Sequence, residues 1–468
     1  MALQTNNKRT FEQNLKNKQI TVLGLGESGF SASNLLLSKG SRVKVSDIHD
    51  TPPLRKKLKY LEKKGACGEL GVHSEEFVLS SELIILSPGI SMELPLLEKA
   101  RRKGIPVIGE IELAYRLCPA RIIAVTGTNG KSTTVKLITH LLKRRFAVHE
   151  VGNIGIPFSS IVERTNRDDL IVLEVSSFQL KANISFKPYI ALILNITPDH
   201  LDIHRSMDDY ITSKLKIFSC QRKEDFSIIN SDDGILKRKV RTESQLYYFS
   251  LKRPHSPGIY IDDGWIVVSV NGRRELICEE SLFNLPGKHN VENCLAAVAV
   301  ACIYGLHREE IAEGLKSFHN LPHRIEKVGT IEGVEFIDDS KSTNVDSSLK
   351  ALLTVSPPII LILGGRDKGN DYSILRQPIR ERVRFVVAVG ESRDKIQKAL
   401  RGVVSVFPQQ TLEEATEFAF ENATSGDKIL LSPGCSSFDM FKNYKERGEV
   451  FRRVFKELKA NSEAYLYE

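Results

Sequence analysis

No stretch of this sequence holds an apolar run long enough to cross a membrane as a helix, which takes about 20 residues. Residues 1–18, MALQTNNKRTFEQNLKNK, lack the apolar core of a secretory signal, so a cytoplasmic location is expected. Cysteine is sparse and scattered. Cys67, Cys118, Cys220, Cys278, Cys294, Cys302 and Cys435 are odd in number and show no paired spacing. That argues against a disulfide framework or a zinc site and for reduced thiols, mostly buried. Internal repeats and low-complexity tracts are missing too. The basic runs Arg55–Lys59 and Lys237–Arg241 have no interleaved aromatics, and a net charge of +8 is modest for this length. They read as solvated faces, so nucleic acid is not needed as a partner, and anionic small substrates fit the balance equally well.

What is present is ordinary globular composition, 41% apolar and 26% charged over 468 residues, enough for about three domains. The chain is organised around Arg121–Lys136, RIIAVTGTNGKSTTVK. The apolar run Ile122–Val125 meets a turn with Gly127 and Gly130, then Lys131, Ser132 and Thr133, then a helical pattern over Val135–Leu142. Strand, glycine loop and helix N-terminus together make a phosphate cradle of backbone N–H groups. Lys131 supplies a point charge for the outer phosphates, and the Ser132 hydroxyl suits Mg²⁺. Val125 stands where the usual phosphate loop has its first glycine.

A second glycine loop lies upstream. A strand over Ile20–Leu23 leads into Gly24, Gly26 and Gly29, a helix over Phe30–Leu37, and a strand from Arg42 ending at Asp47. This spacing matches a dinucleotide-binding unit. Leu83–Leu86, ending in Ser87-Pro88-Gly89, and Val107-Ile108 before Glu110 extend a parallel-sheet domain closing near Pro119.

Beyond the phosphate loop, VGNIGIP carries Asn153, and a strand over Leu170–Leu173 ends at Glu174. An acidic strand tip beside a phosphate loop is where a metal ligand is placed. A strand expected over Ile190–Ile196 leads to His200, a further metal candidate on the same edge. Asp208–Phe218 reads as a helix carrying Lys214, and residues 221–284 as strand-rich. Leu285–Ala301 is a glycine turn at Gly287 followed by a helix with Asn290 and Asn293. After a boundary near Leu321-Pro322, strands near Phe336-Ile337 and over Ile359–Leu363, Phe385–Val389 and Ile429–Leu431 each end in a polar loop, a third α/β domain of Rossmann type. The residues after Lys459 are expected to fray.

The motifs TGTNGKST, VGNIG, LEVSSFQL, NITPDHLD, GKHNVEN, LPHR, DDSKSTN, LGGRDKG and SPGCSSFDMFKNYKERG follow one another in the order of the Mur ligases, which the chain resembles from Gly24 to Gly448. The last segment and the GGRDKG loop resemble the member that adds D-glutamate. The resemblance implies an α/β chain of three domains. Residues 1–119 would be a Rossmann-like UDP-sugar domain, 120–322 a central ATPase-type parallel sheet, and 323–468 a Rossmann-like domain that closes over the site. It further implies ATP-driven amide formation through an acyl phosphate, a monomeric enzyme, and peptidoglycan-precursor substrates: UDP-N-acetylmuramoyl-L-alanine, D-glutamate and ATP.

By position, Gly127, Thr128, Asn129, Gly130, Lys131, Ser132, Thr133, Asn290, Asn293, Arg324 and Asp339 look like ATP contacts. Ser132 and Glu174 look like ligands of one Mg²⁺. His200 and Lys214 look like contributors to a second, with Lys214 carbamylated, since an ammonium cannot ligate Mg²⁺. Lys131, Glu174, His200 and Lys214 would be the catalytic set. Ser28, Asp47, Ser87, Gly89 and Asn153 look like the UDP-sugar side. His200, Lys341, Thr343, Lys368, Ser437, Phe438 and Tyr444 look like the D-glutamate side. Two departures from the pattern are His49, where the family often has arginine, and Gly434 in SPGC, where alanine is commoner.

An oxidoreductase using the first glycine loop for NAD would leave the second loop and the C-terminal motifs unexplained. A ligase for another amino acid keeps the same fold, but the recognition motif of diaminopimelate- and lysine-adding relatives is not found. A non-catalytic binding module sits poorly with intact Lys131, Glu174 and His200.

Overall fold

The computed structural model describes residues 10–153, 155–200, 204–252, 257–283 and 285–465. Residues 1–9, Ile154 of VGNIG, and Leu201 and Asp202 of NITPDHLD lie outside the described residues. The chain forms two compact units. One comprises Met1–Ile196, Asp208–Leu282 and Glu292–Lys316; the other comprises Thr197–Met207, Phe283–Val291 and Ser317–Glu468.

The first unit holds two sheets. In the N-terminal one, β1 (Gln19–Leu23), β2 (Arg42–Asp47), β3 (Cys67–Leu70), β4 (Leu83–Leu86) and β5 (Val107–Gly109) run parallel in the order β3-β2-β1-β4-β5. The inner strands are continuous buried apolar runs, as sheets covered on both faces require. The helix Glu27–Ser38 buries Ala32, Leu35 and Leu36. Gly29 permits its close approach, because a Cβ there would lie 1.8 Å from the Gly24 carbonyl oxygen.

The second sheet comprises β6 (Arg121–Thr126), β7 (Val148–Gly152), β8 (Leu170–Glu174), β9 (Ile190–Ile193), β10 (Phe226–Asn230), β11 (Gln245–Ser250), β12 (Gly258–Asp262), β13 (Trp265–Val270) and β14 (Arg273–Glu279). Their order is β14-β13-β12-β11-β10-β9-β6-β8-β7. The sheet is mixed and not wholly parallel as expected, since β12, β13 and β14 pair antiparallel. Short turns at Asp263-Gly264 and Asn271-Gly272, with positive φ at all four residues, allow these hairpins. Two carboxylates tie the sheets together. Glu110 Oε1 accepts the Ser159 N–H at 2.6 Å, and Glu112 accepts the N–H groups of Ile184 and Ser185. Burial pushes the Glu110 carboxyl above its usual range.

The second unit carries β15 (Glu326–Ile331), β16 (Val334–Asp338), β17 (Ile359–Gly364), β18 (Val383–Val389), β19 (Ser405–Pro408) and β20 (Lys428–Leu431), ordered β15-β16-β20-β17-β18-β19. Only β15 is antiparallel to its neighbour. The closing helix runs Tyr444–Tyr465, so among the described residues the chain stays helical past Lys459, where fraying was expected. Buried Phe451, Val454 and Phe455 anchor it, and Ser462 Oγ donates to Glu332 Oε1 at 2.6 Å. All seven cysteines are free thiols, and Cys118, Cys278, Cys294 and Cys435 are buried. Among the described residues no helix is long and apolar enough to cross a membrane.

Candidate functional site

The phosphate loop sits where β6 ends, between β8 and β9. Val125 is a fully buried residue of β6 in register with Glu174, which explains its departure from glycine: the turn begins two residues later, at Gly127. Gly130 has φ +88 and starts the helix Lys131–Leu142. A Cβ there would lie 2.2 Å from Asn293 Oδ1, so glycine is needed for space as well as for conformation. The Thr134 hydroxyl also reaches Asn293 Oδ1, at 3.3 Å. Asn293 thus reaches the loop from a helix far along the chain.

Ser132, in the first helical turn, donates its hydroxyl to Glu174 Oε2 at 2.7 Å. Asn153 Nδ2 donates to Glu174 Oε1 at 3.1 Å. The Asn153 N–H donates to the Glu174 carbonyl at 2.9 Å. Among the described residues no three His, Cys, Asp or Glu side chains are grouped so that they could hold a metal ion by themselves. A hydroxyl and one carboxylate are the sparse oxygen donors that Mg²⁺ takes in nucleotide sites, where phosphate oxygens and water complete the shell. The residues therefore fit that ion. Lys131 Nζ donates to the carbonyls of Gly127 and Thr128, at 2.9 and 2.8 Å. Lys214 is 2% exposed, and its Nζ donates to the same Gly127 carbonyl at 2.9 Å, 4.6 Å from the centre of the Tyr210 ring. Two lysines from different helices thus converge on one loop carbonyl.

His200 is placed differently from the expectation. The strand ends at Ile193, so His200 lies in a following loop, with φ +55, and not at a strand tip. Glu174 and the end of β9 are not on adjacent strands either, because β6 runs between β8 and β9. The segment Thr197–Met207 belongs to the second unit. There Asp199 accepts Asn344 Nδ2 at 3.0 Å, and it lies 3.9 Å from Lys368 Nζ and 3.7 Å from His200 Nε2.

At the N-terminal glycine loop, Asp47 Oδ2 accepts the Leu25 N–H at 2.6 Å and Oδ1 accepts the His49 N–H at 2.9 Å. Ser87 Oγ donates to the Gly24 carbonyl at 2.8 Å. Ser28 lies in the first turn of the following helix, and Gly89 in the turn after β4. Asp47, Ser87 and this loop are brought together at the tips of β2, β4 and β1. Asn153 joins Glu174 instead.

In the second unit, Lys341 and Thr343 lie on the loop after β16, and Lys341 Nζ is 5.2 Å from the centre of the Tyr444 ring. Asp339 is buried, accepts the Ser432 hydroxyl at 2.7 Å, and is pushed by burial up to about 7, with Arg324 opposing the shift. Ser437 is buried, whereas Phe438 is 63% exposed. Asn290 donates to the Pro286 carbonyl at 2.7 Å. Arg447, 2% exposed, donates to the carbonyls of Cys435 and Ser340, at 3.0 and 2.7 Å. It ties SPGCSSF to DDSKSTN, and burial draws its guanidinium down to about 10. Sequence reasoning missed Asn195, Asp199, Tyr210, Asn344 and Arg447. All but Tyr210 lie inside quoted motifs, where polarity alone did not distinguish site residue from spacer.

A strand–glycine loop–helix cradle with a lysine, a hydroxyl and a carboxylate at its mouth, set in a three-domain α/β chain, defines a nucleotide-phosphate-binding protein. Family models place it further. A Mur ligase MurD-like N-terminal domain matches residues 18–109, a Mur ligase middle domain 125–301, and a Mur ligase glutamate ligase domain 323–435. The chain is 40% identical over 447 residues to a UDP-N-acetylmuramoylalanine--D-glutamate ligase of Koribacter versatilis, covering 95% of this chain and 98% of that one. It is 41% identical over 442 residues to the ligase of the same name from Acidobacterium capsulatum, covering 94% and 96%. Among solved structures, a pseudomurein peptide ligase type C from Methanothermus fervidus shares the fold with a TM-score of 0.60 at 20% identity, covering 95% of this chain and 100% of that one. The chain belongs to the Mur ligase family.

Proposed function

We propose that this chain is the ATP-dependent ligase that joins D-glutamate to UDP-N-acetylmuramoyl-L-alanine, forming ADP and phosphate, in peptidoglycan precursor synthesis in the cytoplasm. The observation that carries this reading is near-full-length identity of about 40% to ligases of that name, together with the convergence of Lys131, Ser132 and Glu174 at the phosphate loop.

The terminal carboxylate of the acceptor attacks the γ-phosphorus of ATP. The amine of D-glutamate then attacks the acyl carbon of the acyl phosphate, forming the amide C–N bond as the C–O bond breaks and inorganic phosphate and a proton leave. Lys131 turns from the carbonyls of Gly127 and Thr128 to the β- and γ-phosphates, placing its charge where negative charge gathers. Ser132 and Glu174 hold Mg²⁺, which when bound neutralises the phosphate oxygens. His200 and a carbamylated Lys214 serve a second ion. The burial of Lys214 beside the loop supports that assignment, since a carbamate there is an anionic oxygen ligand.

Gly127, Thr128, Asn129, Gly130, Thr133, Asn290, Asn293, Arg324 and Asp339 are assigned to ATP. Ser28, Asp47, Ser87, Gly89 and Asn153 are assigned to the UDP-sugar. His200, Lys341, Thr343, Lys368, Ser437, Phe438 and Tyr444 are assigned to D-glutamate. Domain boundaries at 119/120 and 322/323 and a monomeric state belong to the same reading. The acyl-phosphate route is tested with an acceptor carrying ¹⁸O in its carboxylate. The route requires one ¹⁸O in the released phosphate; phosphate free of label contradicts it.

A further inference from the structure

We infer that Asn195 is a positioning residue that sets the phosphate loop for nucleotide, through a peptide plane and not by touching phosphate. This rests on the ATP reading of the loop. Beyond β9 the chain continues beside the loop. The Leu194 N–H donates to the Thr126 carbonyl at 3.0 Å, and the Thr128 N–H donates to the Asn195 carbonyl at 2.9 Å. The Asn195 carboxamide then engages both sides of Asn129. Its Oδ1 accepts the Asn129 N–H at 2.9 Å, and its Nδ2 donates to the Asn129 carbonyl at 3.1 Å.

The splint is itself anchored. The Ile196 N–H donates to Asp233 Oδ2 at 2.7 Å, and Asp233 Oδ1 caps the helix Gly234–Lys239. Asn195 is therefore held in place from the protein side.

The consequence follows from peptide geometry. A trans peptide points its C=O and N–H in opposite directions. With the Asn129 carbonyl turned to Asn195, the Gly130 N–H points away from it, on the side of the helix N-terminus where Lys131 and Ser132 present further N–H groups. Glycine at 130 tolerates either sign of φ, so nothing intrinsic to the loop prevents that plane from flipping. Asn195 supplies the constraint. Lys131 holds the carbonyls of Gly127 and Thr128, but in the role assigned above it leaves them for phosphate. The Asn195 contacts do not compete with nucleotide.

The test uses the full chain, wild type, Asn195→Ala and Asn195→Asp. Binding of Mg²⁺ with a non-hydrolysable ATP analogue is measured by calorimetry, and KM for each substrate by phosphate release. Asn195→Ala should lose roughly tenfold in nucleotide affinity, with a matching rise in KM for ATP, as the loss of about one net hydrogen bond's ordering implies. KM for D-glutamate and for the UDP-sugar should not move. Asn195→Asp keeps the acceptor for the Asn129 N–H but sets a carboxylate oxygen against the Asn129 carbonyl, so it should lose at least as much; it serves if the alanine variant does not fold. Unchanged nucleotide affinity in a folded variant overturns the inference, and so does an equal loss for all three substrates. Failure of wild type to bind the analogue overturns the ATP reading itself, and the inference with it.

Discussion

Ser132 Oγ and Glu174 Oε2 stand 2.7 Å apart, one from the first turn after the phosphate loop and the other from the tip of an adjacent strand. The parallel register that pairs Val125 with Glu174 produces this meeting. In Glu174→Gln the amide keeps the shape and removes the charge. Phosphate release should fall by about a hundredfold or more, and the Mg²⁺ concentration for half-maximal rate should rise. A Mg²⁺ titration of the rate checks this, and an unmoved midpoint would take Glu174 out of the metal set.

Lys131→Ala removes a charge from the transferred phosphate. The expected result is a fall in kcat of several orders of magnitude, by analogy with other phosphoryl-transfer clamps. Steady-state kinetics separates this from simple binding, because a change confined to KM would mean that Lys131 acts on the ground state.

Lys214→Ala should abolish activity, and short carboxylates such as acetate should restore part of it by occupying the vacated space near Gly127. A fully active alanine variant would remove the carbamate assignment.

Arg447→Met should lower stability by about 2–4 kcal/mol, because the carbonyls of Ser340 and Cys435 would lose a buried donor. It should also raise KM for D-glutamate, since both tied loops carry residues assigned to that substrate. Denaturant unfolding and kinetics read the two effects. A stable variant with unchanged KM would show that the strut is dispensable.

Asp339 gives a pH dependence. Its carboxyl is raised from 3.8 to about 7, so between these values the folded state holds a proton that the unfolded state has released. Stability from this group is therefore full below about pH 4, declines as pH rises towards 7, and is lost above that. Asp339→Asn should flatten that part of the stability–pH curve and raise stability at pH 8. An unchanged slope between pH 4 and 7 in urea unfolding would contradict the assignment.

Much of the fold was legible in the sequence because the inner strands are buried apolar runs ending in glycine or polar residues; Leu83–Leu86 and Ile429–Leu431 are examples. The phosphate loop was legible for the same reason, with Lys131 and Ser132 at fixed offsets. What escaped was set by tertiary contacts. The apolar side chains of Leu194 and Ile196 suggested a longer strand, but there the chain leaves the ladder to brace the loop through Asn195. The pattern of its helix alone gave Lys214 no role, because helical periodicity cannot reveal that Tyr210 and Gly127 enclose it. Arg447, near the start of a charged helix, gave no sign that it would be 2% exposed.

A panel of amino acids decides the identity of the reaction. Phosphate release from ATP is measured with UDP-N-acetylmuramoyl-L-alanine and D-glutamate, L-alanine, L-lysine or diaminopimelate in turn. Strong stimulation by D-glutamate alone is the predicted result. Equal stimulation by L-alanine or diaminopimelate would contradict it.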